Sequence, residues 1–354
     1  MNFSRSLLLF AFLRLACPAQ TIHGNVMNGS TGKPESGQEV ILFTTQGEQA
    51  RTITNDNGNF QIEPKAKLNP HSTAVLQVIH GGVEYFQAVS PGKDSNVRVY
   101  EASSQSSAIS DYLSILQFEV KGTMLEVMEL HAFNNTSNPP ITRVSPENLV
   151  ISLPDGAQVQ AAIVAGPDGG TVRLPLVSTP GQKGRYRIDF PLKPGLTKYA
   201  ISYAVPHEGR SVFRRQAQYP TRKIGVIAPD SMHFRSLGAN VFHAVEDQPG
   251  TQEQVLEGVG AHEPFAFELS GAGGLARSLR SLNPGEPTRL AQVQTEVQAL
   301  MSTPWPRGGS AETHANPTQG RAIIVRQQLM LGLGILVLTG ILVWGVRLKR
   351  TPRM

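Results

Sequence analysis

Histidine, carboxylate and serine side chains are the groups through which this chain could do hydrolytic or metal-assisted chemistry, so their spacing is the first test. His207, His233, His243 and His262 occupy a Gly- and Pro-rich stretch without the i, i+4 spacing, or the alternate positions of one strand, that would aim two rings at one ion. Asp155 and Asp168 sit in Pro-Asp-Gly turns, where a short carboxylate has a backbone-bonding reason to be present. His207-Glu208 and His262-Glu263 read as solvated turns, and Arg214-Arg215 and Arg222-Lys223 as solvated strand ends. The sequence contains no G-x-S-x-G elbow, no Gly-rich phosphate loop, no C-x-x-C and no H-E-x-x-H. No catalytic, cofactor-binding or metal residue is therefore expected. The competing expectation is an anchored envelope hydrolase or metal-handling enzyme whose site gathers His207, His233 or His243 with carboxylates from distant positions.

The elements around these residues begin with a charge-free run of twenty residues, 327–346, between Arg326 and Arg347. As a helix rising ~1.5 Å per residue it matches a hydrocarbon core of ~30 Å. The flank beyond it carries Arg347, Lys349 and Arg350 without an acid, so the positive-inside bias predicts a cytoplasmic tail at 347–354 and an extracytoplasmic N-terminal bulk. Residues 1–19 have a basic start at Arg5, an apolar stretch over 7–13 and small residues before Gln20, the pattern of a secretory signal. Cys17 is the only cysteine; Arg14 stands where a lipobox wants an apolar residue, so cleavage is expected over lipidation, leaving a mature chain without a disulfide.

Charge excludes one class of partner. The net charge is +5, but two basic residues lie in the signal and six lie from Arg321 onward, so residues 20–320 carry a net −3. A nucleic-acid surface needs a basic face within the folded part, and none is supplied. The expected partners are the lipid bilayer, through the C-terminal helix, and envelope proteins. Polysaccharide is the second class, disfavoured because Trp305 and Trp344 both fall outside the folded part.

The 34 glycines and 25 prolines, with short β-branched runs between them, predict an all-β fold. In the first part, strands are expected at 21–27, 40–44, 50–54, 60–62, 74–80, 83–89 and 96–100, separated by turn residues such as Asn55-Asp56-Asn57-Gly58 and Gly81-Gly82. Thr31-Gly32-Lys33-Pro34 turns the chain, Val40 and Leu42 share one face at period two, and Gly58 precedes Phe60 in a closing hairpin. Gly24-x-Val26-x-Asn28, Thr31-Gly32-Lys33-Pro34, Gly37-x-x-Val40-x-Leu42 and Gly58-x-Phe60 together resemble the carboxypeptidase regulatory-like domain found in bacterial cell-envelope proteins. The resemblance implies a small prealbumin-like β-sandwich over 20–101, without chemistry of its own. It departs after Pro34, where Glu35 and Ser36 replace the usual apolar residue.

A polar joint at 102–110 leads to a second run of strands, expected at 113–120, 124–133, 147–153, 158–164, 184–190, 199–205, 212–219, 222–227, 240–244 and 264–269. On 124–133, Leu125, Val127, Glu129, His131 and Phe133 share one face and apolar residues also populate the other, which predicts a central strand. The resulting expectation is all-β: two tandem β-sandwiches, 20–101 and 111–270, then a linker over 271–320 and one transmembrane helix. In the linker, Leu290, Val293, Val297 and Leu300 mark a short helix of marginal stability. The function expected is that of a non-enzymatic, membrane-anchored binding or scaffold protein.

Overall fold

The computed structural model describes residues 21–65, 68, 74–89, 92–105, 108–245 and 250–275, and every regular element among them is a strand. The signal at 1–19 with Cys17, the linker helix, the span 327–346 and its flanking Arg326, Arg347, Lys349 and Arg350 lie outside the described residues. Among the described residues, no helix is long and apolar enough to cross a membrane.

Residues 22–99 form two sheets around one core. Ile22–Asn28 lies between Asn59–Ile62, antiparallel, and Val97–Val99, parallel. The second sheet runs in the order Gly47–Ile53, Glu39–Thr44, Ala74–His80, Val83–Ala88. Strand alternation sends Val40 and Leu42 inward to meet Val26, Phe60, Ile62, Leu76, Val78, Tyr85 and Val97. The opposite face of that sheet carries a separate cluster of Ile41 and Phe43 with Val75 and Phe86. Each buried aliphatic or aromatic side chain contributes about 1.5–3 kcal/mol of transfer free energy.

Residues 109–270 build a larger core on an eight-stranded sheet. Its order is Thr171–Leu174, Gln158–Ala165, Gly195–Pro206, Met124–Asn135, Ile109–Lys121, Thr221–Pro229, Thr251–Val259, His243–Ala244. Met124–Asn135 is central, as its two apolar faces predict, and pairs with Gly195–Pro206 from Met124↔Pro206 to Asn135↔Gly195. Two three-stranded sheets, Leu149–Ser152 with Arg185–Ile188 and Val177–Ser178, and Arg210–Gln216 with Pro264–Ser270 and His233–Leu237, share its core. Phe118, Phe213 and Phe267 meet there with ring centroids 4.8–5.7 Å apart.

Several elements differ from the sequence expectation. Thr251–Val259 is a nine-residue strand although Gln252, Glu253, Gln254 and Glu257 hide its pattern; its register with Thr221–Pro229 buries Val255, Leu256 and Val259. The polar joint is shorter than its composition suggests: Ala102–Ser103 pairs with Thr142–Arg143, and the next strand already begins at Ile109. Residues 271–275, expected as linker, are fastened to the eight-stranded sheet, because Val120 N donates to Gly273 O at 2.8 Å and Leu275 packs against the apolar cluster of Leu113, Ile115, Leu130 and Ile227.

Candidate functional site

Glu129 and His131 are two residues apart on the central strand, so both point into the larger core. The cross-strand partner of His131 is Ser114, and the register shifts between Ala132 and Phe133 so that Phe133 faces Asp111. That bulge absorbs Tyr112 and brings Asp111 and Ser114, three residues apart, onto the same face. Ser114 Oγ donates to Asp111 Oδ2 at 2.5 Å, and His131 Nδ1 lies 2.8 Å from Ser114 Oγ and 3.3 Å from Asp111 Oδ2. His131 Nε2 stands 3.5 Å from Glu129 Oε2. Glu129 Oε1 accepts from Tyr203 Oη at 2.5 Å and from the buried Arg215 guanidinium. Asp111, Ser114, Glu129, His131 and Arg215 line a cavity of about 150 Å³, together with Arg185, Gln218 and His262.

Burial opposes the charge on His131, but hydrogen bonds and charges from Asp111 and Glu129 override it and raise its pKa to about 9. Burial likewise disfavours the Glu129 carboxylate, and the Arg215 charge overrides it, holding the carboxyl below its ordinary value. Glu129 is thus held between two cationic partners, the Arg215 guanidinium and the His131 imidazole. A serine hydrolase needs a neutral imidazole free to take the serine proton. Here Ser114 Oγ donates to Asp111 Oδ2, and His131 Nδ1 lies 2.8 Å from the same hydroxyl oxygen.

A second polar assembly lies where the two cores meet. Tyr85 Oη donates to Tyr100 O at 3.0 Å and shares a 2.8 Å hydrogen bond with Thr142 Oγ1. Burial pushes the Tyr85 phenol up to about 12, so it stays protonated. Phe86 N donates to Asp168 Oδ2 at 3.3 Å, and the same oxygen pairs with the buried ammonium of Lys193. Lys193 Nζ lies 5.1 Å from the Tyr85 ring centroid and 5.4 Å from that of Phe86. Beside this seam opens a cleft of about 570 Å³, lined from one core by Asn25, Met27, Asn96 and Arg98 and from the other by Pro167 and Pro194.

The pattern residues of the first core are structural in position. Val26, Val40, Leu42 and Phe60 are core residues, whereas Gly32, Gly37 and Gly58 take positive φ in turns. Gly24 lies against Ser95, Thr31 N bonds Asn28 Oδ1, and Pro34 makes a bridge with Met27. The histidines named as a potential cleft are not brought together: His233 and His243 are exposed on different sheets, and His207 is buried, bonded to Ser211 Oγ and Gly271 O. The solvated reading of His207 and of Arg215 is therefore corrected, since His207 is held inside by Ser211 and the distant Gly271, and Arg215 by the distant Glu129.

No family model and no characterised protein matches the sequence. Among solved structures, the chain is similar to an M1 zinc metallopeptidase from Deinococcus radiodurans, with 14% identity, a TM-score of 0.29, and coverage of 52% of this chain and 51% of that one. It is also similar to a putative protease from Parabacteroides distasonis, with 12% identity, a TM-score of 0.28, and coverage of 56% and 44%. The chain spans about half the length of these structures.

Proposed function

We propose that this chain is a non-enzymatic, membrane-anchored extracytoplasmic binding or scaffold protein. Two tandem β-sandwiches, the first of carboxypeptidase regulatory-like type, are carried on a C-terminal transmembrane helix and engage protein partners of the cell envelope. The observation that supports this reading best is the seam. Tyr85, Asp168, Lys193 and Thr142 lock the two cores to each other, and the adjoining cleft draws its walls from both. A fixed pair of sheets with a composite cleft suits recognition, where preorganisation limits the entropy lost on binding. The closed ion network around His131 favours binding over hydrolysis, because its serine and imidazole are already engaged with carboxylates.

The test is a photo-crosslinking residue placed at Arg98, exposed on the cleft, in the full chain in intact membranes. The expected result is one envelope protein captured, which, once purified, binds the chain saturably and no longer does so after Asn96→Trp. Equal capture from a probe at Ile53, exposed on a remote edge strand, would overturn the reading, as would a reporter fused after Met354 appearing outside the cytoplasm.

A further inference from the structure

Glu35, the residue at which the chain departs from the regulatory-like pattern, does not stand alone in the structure. It converges with His80, the last residue of its strand, and Glu101, immediately before the joint, so that one donor atom from each lies within 4.8 Å of the others. His80 Nε2 is 3.4 Å from Glu101 Oε1, and His80 Nδ1 is 3.9 Å from Glu35 Oε2. Beneath them, the buried Asn28 divides its amide protons between the two carboxylates, donating to Glu35 Oε1 and Glu101 Oε1 at 2.7 Å each. Its carbonyl oxygen is used in the turn, accepting from Ser30 N at 2.8 Å. The backbone of each acid is pinned as well: Glu35 N bonds Val26 O at 2.9 Å, and Glu101 N bonds Ser30 Oγ at 2.9 Å.

Charge and donor chemistry point the same way. Two carboxylates held on one neutral amide are only half neutralised by a protonated imidazole, whereas a divalent cation with a neutral imidazole balances them. An imidazole nitrogen beside two carboxylate oxygens is a borderline donor set that suits Zn²⁺ better than Ca²⁺ or Mg²⁺, which favour all-oxygen shells. Ligand bonds of about 2.0–2.2 Å at tetrahedral angles put donor atoms roughly 3.3 Å apart. His80 Nε2 and Glu101 Oε1 already match this, whereas Glu35 Oε2 stands against the other ring nitrogen, Nδ1, so the Glu35 side chain has to swing toward the ion that Nε2 and Glu101 would hold.

We infer that Glu35, His80 and Glu101 form a Zn²⁺ site, completed by water, that ties the 29–35 turn and the end of the Ala74–His80 strand to the joint between the two cores. The site shares no residue with the cavity around His131 or with the cleft, so it stands or falls separately from the proposed binding role.

The full chain in detergent, stripped with chelator and titrated with ZnCl₂ alone, is expected to take up one ion. His80→Ala and Glu101→Gln should each weaken uptake at least tenfold, while His243→Ala, exposed on another sheet, should not change it. Glu101 is about half exposed, so its variant keeps the fold, and X-ray absorption of the unmodified chain needs no variant at all. Absorption should show one imidazole nitrogen among oxygen ligands, and zinc should slow protease cleavage of the joint. Absence of a saturable site, uptake indifferent to both variants, or a shell containing sulfur or several imidazoles overturns the inference.

Discussion

Glu129 and Arg215 are 86 residues apart in sequence and form an ion pair inside the larger core, with both side chains more than nine-tenths buried. Tyr203 bonds to both partners, and the Arg215 guanidinium lies over the Tyr203 and Phe213 rings. Breaking a buried pair by removing one partner leaves the other charge desolvated and uncompensated, which costs about 3–5 kcal/mol. Arg215→Met is therefore expected to destabilise the chain by that amount in urea or thermal unfolding. The double variant with Glu129→Leu should recover much of the loss, because no lone charge remains. Arg51→Ala is the contrast: its pairs with Glu39 and Glu48 are 2.7 Å long but exposed, and its loss should cost below about 1 kcal/mol.

His131 sets a pH window. Its folded pKa of about 9 lies above the ordinary 6.5, so the folded state holds the proton more tightly than the unfolded one. The corresponding stability is fully present below pH ~6.5 and is lost as pH rises through about 9. At 1.36 kcal/mol per pKa unit the loss is on the order of 3 kcal/mol. Melting temperatures of the full chain should fall between pH 7 and 10, and His131→Gln should flatten that fall. An equal slope in the variant would show that other groups are responsible.

The seam yields to a different substitution. Lys193 is buried with Asp168 as its anionic partner, and the same carboxylate caps Phe86 N on the other core. Asp168→Asn keeps the shape but removes the charge, so the buried ammonium loses its counter-ion and keeps only an amide oxygen and the ring faces. A cost of about 3 kcal/mol is expected, since the pair is mostly desolvated. Limited proteolysis should then cut within residues 101–108 faster than in the unmodified chain, whereas Lys183→Ala, which removes a fully exposed pair with Asp155, should leave the cutting rate unchanged.

Much of the strand pattern was legible because alternation and turn chemistry are local. Val40 and Leu42 against Ile41 and Phe43, and the two apolar faces of 124–133, specify which sides are covered. What a strand contacts across the fold is not local. Arg215 sits beside Arg214 like an ordinary surface cation, and only the pairing of Arg210–Gln216 with Pro264–Ser270 turns it toward Glu129. Asp168 satisfies a Pro-Asp-Gly turn in sequence and yet serves the other core. The one available signal for the cavity was Glu129 and His131 on the same face of a predicted central strand. Polar groups that share a buried face need partners, and here the partners come from three other strands.

Two glycines of the first core, matched in backbone conformation, separate strain from crowding. Gly32 and Gly58 have φ of 71° and 72°, so alanine at either incurs the left-handed penalty, of order 1 kcal/mol. Around Gly32 a Cβ would meet nothing within 4 Å. At Gly58 it would fall 2.7 Å from Val26 O and 2.9 Å from Pro34 Cβ, both parts of the closely packed strand and turn. That oxygen also accepts from Glu35 N, so retreat of Val26 would disturb the Glu35 turn as well. Gly32→Ala should lower stability by about 1 kcal/mol, and Gly58→Ala by at least ~2 kcal/mol more, because the backbone itself must move. Equal unfolding midpoints for the two variants would mean that the turn shifts freely and that the close approach at Gly58 is not what selects glycine there.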